Sequence, residues 1–570
     1  MAKRVVKNKI MMKKYQRYFL VYFLLGFVAV PLFATDMHLQ EDSPAYFFLQ
    51  TMETRGLLDL PLPAARPWIK QDVAQHLKIL LEKNDSLTAT EQEILQMLVN
   101  RYRLELSELK HPRLADEDSV HFSLVHVKED FNRKLSRSII SEPDYLFLYE
   151  TEDEYFFLQG DGLIRVENKN DLFRFSGHIG LRGFAQIHHV SVYGDAMAYE
   201  LIVHDYYKDD PIDSRGFYLH TDSTLSLVSF DNTMGYVQVQ TKAGLFTLGN
   251  DPLRWGHGEN SLFLSGKTAT FPYMMWQKAF YKSRFLFFHG SLINATYTLS
   301  DDGHSKIYPE KYLVGQRFEL YPWKNISLSF MEFITYGDRS PELTYFIPFT
   351  FLWSAEHNLE DRDNVLLGFE MAWRPINGVK LYGSILLDEF KFCEFATQWW
   401  GNKRGYQVGA NFTLPGSPLW GAFFEGTLVR PWTYSHYKDV NTFTHKGDCL
   451  GFFAGPNTRL FEVGLRGWIT AAHFVSLSFR SLEKGLEPLP ENHPDYYPIG
   501  SNANQNYYER NKVYDHATKN LMGDIQKTRS CDIMWQWQFI NNGWLEVTWQ
   551  PQWVDSDFKH MAYIQLQVKH

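Results

Sequence analysis

From about Val120 to the end of the chain, apolar and polar residues alternate with a period of two. Phe461, Val463 and Leu465 alternate with Glu462, Gly464 and Arg466, and Val475, Leu477 and Phe479 with Ser476, Ser478 and Arg480. The pattern continues through Ile533, Trp535, Trp537 and Phe539, through Leu545, Val547 and Trp549, and through Ile564, Leu566 and Val568. Successive side chains of a strand point to opposite faces, so each segment carries one apolar and one polar face. A chain patterned this way over most of its length must build large sheets.

Two architectures share that period. A soluble sandwich buries the apolar face against a second sheet, whereas an outer-membrane barrel turns it toward lipid. Aromatics make up 16% of the 570 residues, yet mean hydropathy is only −0.32. Large rings are thus interleaved with polar residues, as the girdles of a barrel require, and Glu546 and Arg466 suit a wet lumen. The expected fold is mainly β: a large antiparallel transmembrane β-barrel preceded by a small N-terminal helical bundle. Roughly 450 residues at about 25 per strand and connection give on the order of 18 strands. Side chains alone do not fill a lumen of that width.

Residues 1–34 read as a secretory signal peptide. Lys3, Arg4, Lys7, Lys9, Lys13, Lys14 and Arg17 precede the apolar run from Phe19 to Val30, with cleavage after Ala34. Leu32 is atypical for the cleavage site, and a retained anchor is the alternative reading. Losing those seven cations takes the net charge from −9 to −16, which disfavours nucleic acid as a partner. The three cysteines, Cys393, Cys449 and Cys531, are too few for a disulfide framework. No Cys/His spacing suggests a zinc site, and no cofactor is expected. After the leader no apolar stretch is long enough for a spanning helix.

Residues 35–115 are helical in character. Ser43-Pro44 makes an N-cap with proline at the first helical position, and Gly56 supplies a stop. Val73, Leu77, Leu80 and Leu81 form one stripe, and a further helix opens at Thr88 with Glu91 in capping-box spacing. The expectation is a small module docked at the periplasmic mouth of the barrel, with residues 116–570 forming the barrel and its long extracellular loops. Segments interrupting the strands are Tyr207 to Arg215, Asp301 to Tyr308, Ser354 to Asn364 and, longest, Glu483 to Gln526.

The stretch from Gly249 to Tyr273 is too rich in Gly and Pro for a helix. It sets Arg254, Trp255, His257, Glu259 and Asn260 between glycines. Aromatic faces beside fixed hydrogen-bonding groups suit sugar rings, which offer C–H faces and hydroxyl edges. The competing reading is a structural inward-folded loop whose Arg254 and Glu259 pair with neighbours. Trp432, Tyr434 and His436 make a second candidate contributor, and the loop from Glu483 to Gln526 is the fallback surface.

These blocks resemble the capsule assembly protein Wzi family. Arg254-Trp255-Gly256-His257-Gly258 with Ser261 to Ser265 resembles the family's Trp-Gly-Pro-Gly…Ser-Leu-Leu-Leu-Ser core, with His257 where proline is usual. Arg55 to Leu58 through Pro67-Trp68, Pro348 with Glu356, Asp388-Glu389-Phe390, Pro431 to His436 and Gly455-Pro456-Asn457 match further blocks in order. The resemblance implies an outer-membrane protein of a Gram-negative bacterium. Such a protein binds capsular or other exported polysaccharide at the cell surface, without catalysis. Its expected partners are that polysaccharide, outer-membrane lipid and, during biogenesis, the barrel-assembly machinery; it is expected to be a monomer.

Two other functions fit a barrel. A general porin is disfavoured by a helical module and a Trp-bearing loop that obstruct the lumen. An outer-membrane hydrolase could draw on Asp388 with Glu389, Glu356 with Asp363, or His436 and His445. Adjacent strand residues face opposite sides, however, and no Gly-x-Ser-x-Gly elbow is present.

Overall fold

The computed structural model describes residues 38, 43–102, 106, 119–122, 145–150, 154–203, 220–222, 227–487 and 497–569, apart from 171, 302, 390 and 415–416. The expected signal peptide, the Tyr207 to Arg215 segment and residues 488–496 of the longest loop lie outside the described residues.

Eighteen antiparallel strands close into one barrel. In chain order they are β1 (Glu154–Lys169), β2 (Leu172–Ile187), β3 (Val190–Val203), β4 (Leu227–Thr241), β5 (Gly244–Asn250) and β6 (Tyr273–Phe280). Then come β7 (Ser283–Ile293), β8 (Glu310–Trp323), β9 (Ile326–Gly337), β10 (Asn364–Ile376), β11 (Val379–Glu389) and β12 (Lys403–Leu414). The last are β13 (Ser417–Val429), β14 (Thr458–Thr470), β15 (His473–Leu486), β16 (Asp524–Ile540), β17 (Gly543–Val554) and β18 (Asp557–Lys569). Pairing of β18 with β1, from Met561 opposite Lys169 to Lys569 opposite Asp161, closes the cylinder and leaves no free edge.

The alternation sets the faces as expected. Phe461 and Val463 on β14 stay exposed on the outer wall, while Glu462 between them is buried in the lumen. Strands β15 and β16 run further than the sequence pattern suggests, with Leu486 still paired to Asp524. Ladder hydrogen bonds need no apolar partner, so a strand can outlast its alternation.

One end of the barrel carries tight turns, such as 242–243, 281–282, 324–325 and 377–378. The other carries the long connections 251–272, 294–309, 338–363, 390–402, 430–457 and 487–523. Three helices pack at the tight-turn end. Helix α1 (Pro44–Thr54) is capped by the Ser43 side chain, which accepts from the Ala45 N–H. It ends at Gly56, whose φ of +82° favours glycine. Helix α2 (Lys70–Glu82) buries Val73, Leu77 and Leu80. Helix α3 (Ala89–Arg101) opens with a full capping box between Thr88 and Glu91.

These helices share an apolar cluster with Leu419, Trp468 and Ala471 at the ends of β13 and β14. The buried Glu53 fastens the module to the wall: it accepts from Lys380 Nζ of β11 at 2.6 Å and from the Leu62 N–H at 3.1 Å. The Gly378 N–H in the β10–β11 turn donates to Thr54 O at 2.7 Å.

The lumen has its own core. Connections 251–272 and 430–457 fold inward, and Trp255, Leu262, Phe263, Phe443 and Phe452 pack on the lumen-facing Phe288, Phe333 and Leu366. This explains why β7 departs from alternation at Phe285-Leu286-Phe287-Phe288: Leu286 and Phe288 face the inward loops, and Phe285 and Phe287 are covered from outside.

Candidate functional site

The loop after β5 descends into the barrel and meets the helical module there. Arg254–Trp255 pairs on one side with Ala65–Arg66, from the linker between α1 and α2, and on the other with Leu264–Ser265. Trp255 is 1% exposed, its ring 5.4 Å from Phe288 and 5.2 Å from Phe333. Arg254 Nη2 donates to the carbonyls of Gly258 and Glu259, curling the loop on itself.

Carboxylates of the wall receive the loop's backbone. The His257 N–H donates to Glu370 Oε1 on β10 at 2.9 Å. The N–H groups of Glu259 and Asn260 donate to the two oxygens of Glu425 on β13, at 2.8 and 3.1 Å. Asn260 Nδ2 bridges Glu425 and Glu462, each at 2.9 Å. Glu259 itself takes a bidentate pair from Arg466 of β14, at 2.6 and 3.0 Å. Burial pushes the Glu259 carboxyl up, but Arg466 outweighs it and holds the group below the usual carboxylate range. At Gly258 a Cβ would stand 2.2 Å from Glu425 Oε2, so a side chain there would displace the carboxylate that receives the loop.

Of the eight residues singled out in the sequence, the structure places Arg254, Trp255, His257, Glu259 and Asn260 together, deep in the lumen and bonded to the wall. Trp432, Tyr434 and His436 form a separate group nearer the long-loop end. Trp432 and Tyr434 hold left-handed backbone, at φ +69° and +73°. Tyr434 is fully buried, its hydroxyl donating to Leu262 O at 2.7 Å. Trp432 clusters with Trp400 and Tyr507. Burial, reinforced by Lys403, drives the His436 imidazole pKa well down, so this ring is neutral.

Above that group lies an aromatic shelf built from three connections. Tyr437 and Tyr508 stack with centroids 4.9 Å apart, and Tyr508 is 61% exposed. Arg510 lies 3.7 Å over Trp400, and its guanidinium is fixed by Asp515 at 2.8 and 3.0 Å. Lys438 lies 5.5 Å over Tyr437, while the fully buried Lys403 backs Tyr507 at 4.7 Å. Stacked rings rimmed by fixed cations can take the C–H face of a sugar and pair with its hydroxyl or carboxylate groups.

The family described as capsule assembly protein Wzi matches residues 148–537. The chain belongs to that family. Among solved structures it resembles Wzi of Escherichia coli, an outer-membrane protein involved in group 1 capsule assembly and a carbohydrate-binding β-barrel. That likeness has 12% identity and a TM-score of 0.54, covering 94% of this chain and 99% of that one. Acinetobacter baumannii OccAB2 matches at 9% identity and a TM-score of 0.42, over 73% of this chain and 98% of that one. Pseudomonas aeruginosa OprD matches at 12% and 0.39, over 73% and 95%. Comparison with curated protein sequences returns no match.

Within this Wzi-family barrel three of the four carboxylates weighed for acid–base work, Asp388, Glu389 and Asp363, have structural partners. Lys403 Nζ lies 3.3 Å from Asp388 and 3.2 Å from Glu389, and Asp363 is held by Arg339 and the Tyr345 hydroxyl. Among the described residues, Glu356, His357 and Asp361 bring potential metal-donor atoms within 4.8 Å of one another. Trp400 and Tyr437 were not singled out by sequence, whereas Tyr508 and Arg510 belong to the fallback loop from Glu483 to Gln526. The signal available was the pair Trp399-Trp400 before Gly401-Asn402, a bulky aromatic pair in a strand-breaking context.

His257 supplies a pH prediction. The proline of the family pattern would lack the N–H that His257 gives to Glu370. Burial lowers the imidazole pKa to about 4, with Glu370 opposing and Lys380 and Arg317 assisting. The unfolded imidazole takes up a proton near pH 6.5 and the folded one only near pH 4. Stability from this site is therefore complete above pH 6.5 and lost as pH falls toward 4, by up to about 3 kcal/mol. Denaturant midpoints at pH 7 and pH 4.5 should differ more for the parent than for His257→Gln; an equal drop in both would mean the ring takes up its proton as readily folded as unfolded.

Proposed function

We propose that this barrel spans the outer membrane, is closed on its periplasmic side by the helical module, and holds exported polysaccharide at the aromatic shelf on its extracellular end. The observation that carries the reading is the stack of Tyr437 on the exposed Tyr508, with Lys438 and Arg510 set against neighbouring rings, in a barrel of the Wzi family. Orientation follows from the turns, since outer-membrane barrels keep short turns toward the periplasm and long loops outside. Cations at the rim matter because the mature chain is acidic, and a uronate-bearing polymer needs a local positive surface.

The buried groups support this surface from beneath. Trp432 and His436 set the floor under Trp400 and Tyr507, while Arg254 to Asn260 anchor the inward loop and exclude a wide conduit. The family is not an enzyme family, and the roles found for Asp388, Glu389 and Asp363 are structural.

The double substitution Tyr437→Ala/Tyr508→Ala removes the exposed Tyr508 ring and the half-buried Tyr437 ring and leaves the barrel intact. Its affinity for purified polysaccharide should fall about 10- to 100-fold, the loss of one or two binding hot spots. Cells carrying it should shed polymer into the medium. A double variant that assembles normally and retains polymer like the parent would remove the shelf from consideration.

A further inference from the structure

Within the connection 338–363, which joins β9 to β10, the Arg362 carbonyl accepts from Lys438 and Asn441 beside the shelf, but residues 343–358 fold neither into the lumen nor into the shelf. They lie on the outer wall. Along β7 and β8, Leu286, Phe288 and Arg317 face the lumen, so Phe285, Phe287, Val314 and Gln316 face outward. Onto those outward positions the segment packs Tyr345, Leu352 and Ala355. Phe349 stacks on Phe285 at 4.0 Å, and Phe346 on His289 at 4.1 Å.

Under this cover, with His289, sit Gln316 and Glu332, polar side chains that a lipid-facing wall should not carry. Gln316 Nε2 donates to Glu332 Oε2 at 2.5 Å and to Thr350 O at 2.7 Å. The Leu352 N–H donates to the same Glu332 oxygen at 3.2 Å. The wall thus supplies hydrogen-bond partners to the segment's own backbone. Further backbone groups are met within the segment, by the 3-10 turn Leu343–Phe346 and by helix α4 (Leu352–Asn358). Internal satisfaction of this kind is what backbone needs where water is absent.

The side turned away from the barrel is apolar. Leu343 is 80% exposed, Phe349 61%, Ile347 57%, and Phe351 and Trp353 44% each. From Leu343 to Ala355 the sequence holds no charged residue, with Glu342 and Glu356 bracketing it. On the same wall this surface runs on into the exposed Phe318, Phe369 and Met371 of the apolar belt. An uncovered patch of five large apolar side chains needs a non-aqueous neighbour.

We infer that residues 343–355 form a lipid-contacting ledge, with Leu343, Ile347, Phe349, Phe351 and Trp353 set against the acyl chains of the outer leaflet. This rests on the outer-membrane reading above, and continuity with the belt fixes lipid as the occupant. The ledge replaces lipid over part of the wall and lets Gln316 and Glu332 exist there.

The test uses the full chain with Cys393, Cys449 and Cys531 changed to alanine and one nitroxide-labelled cysteine at a time, in lipid vesicles. Positions are Leu343→Cys and Phe349→Cys on the ledge, Phe369→Cys on the belt and Tyr508→Cys on the shelf. The ledge labels should collide with oxygen several times more readily than with a water-soluble nickel chelate, as the belt label does, whereas the shelf label should favour nickel. Nickel-dominated collision at the ledge with an oxygen-dominated belt overturns the ledge alone. Weak collision with both reagents also overturns it, because another protein surface then covers the patch. If the belt label favours nickel as well, the outer-membrane reading itself fails.

Discussion

Replacing Arg317 with alanine is expected to lower the stability of the folded barrel by about 3–5 kcal/mol, the usual cost of leaving a buried charge without its partner. Arg317 is completely buried on the lumen side of β8. Its Nε donates to Glu319 at 2.7 Å, and its Nη2 to Glu370 at 2.7 Å and to Ser329 Oγ at 2.8 Å. Glu370 in turn receives the His257 N–H and the Ser384 hydroxyl. Alanine would strand two carboxylates and loosen the inward loop with them. Denaturant titration of detergent-solubilised protein reads the loss directly. The triple variant Arg317→Met/Glu319→Gln/Glu370→Gln discriminates between causes: with no charge left uncompensated, most of the stability should return. A single variant within about 1 kcal/mol of the parent would show that water reaches the pair and screens it.

The second large effect is expected at Trp255. Truncation to alanine should cost about 3–5 kcal/mol, because a fully enclosed indole leaves a cavity that its neighbours cannot collapse into. Trp255 also sits in the small sheet that ties the α1–α2 linker to the inward loop, opposite Ala65 and Leu264. The folded fraction should nonetheless bind polysaccharide like the parent, because the shelf at Tyr437 and Tyr508 is built from other connections. Paired measurements of unfolding midpoint and polysaccharide affinity check both halves. Unchanged stability with weakened binding would return Trp255 to the sugar-stacking role its composition suggests.

The helix signals were local and legible. Ser43, Thr88 with Glu91 and Gly56 act within one turn of themselves, so short-range chemistry fixes where α1 and α3 begin and where α1 stops. The loop from Arg254 to Asn260 was legible as a special segment but not as a buried one. Its hydrogen-bond acceptors are Glu370 and Glu425, more than a hundred residues away in sequence. The shelf was harder still, since Trp400, Tyr437 and Tyr508 come from three connections and none is distinctive alone.

Local patterning was enough to read a large antiparallel sheet, the sorting of its side chains onto two faces, and helices ahead of it. A period of two and a capping residue encode those facts locally. What lies against each face is set by long-range packing. Alternation records the side of the sheet a residue occupies, but it is blind to whether lipid, an inward loop or the outer segment at 343–355 covers that side. For Phe285 to Phe288 the answer was a cover on both sides, set by contacts with Phe349 and Trp255 that no local pattern contains.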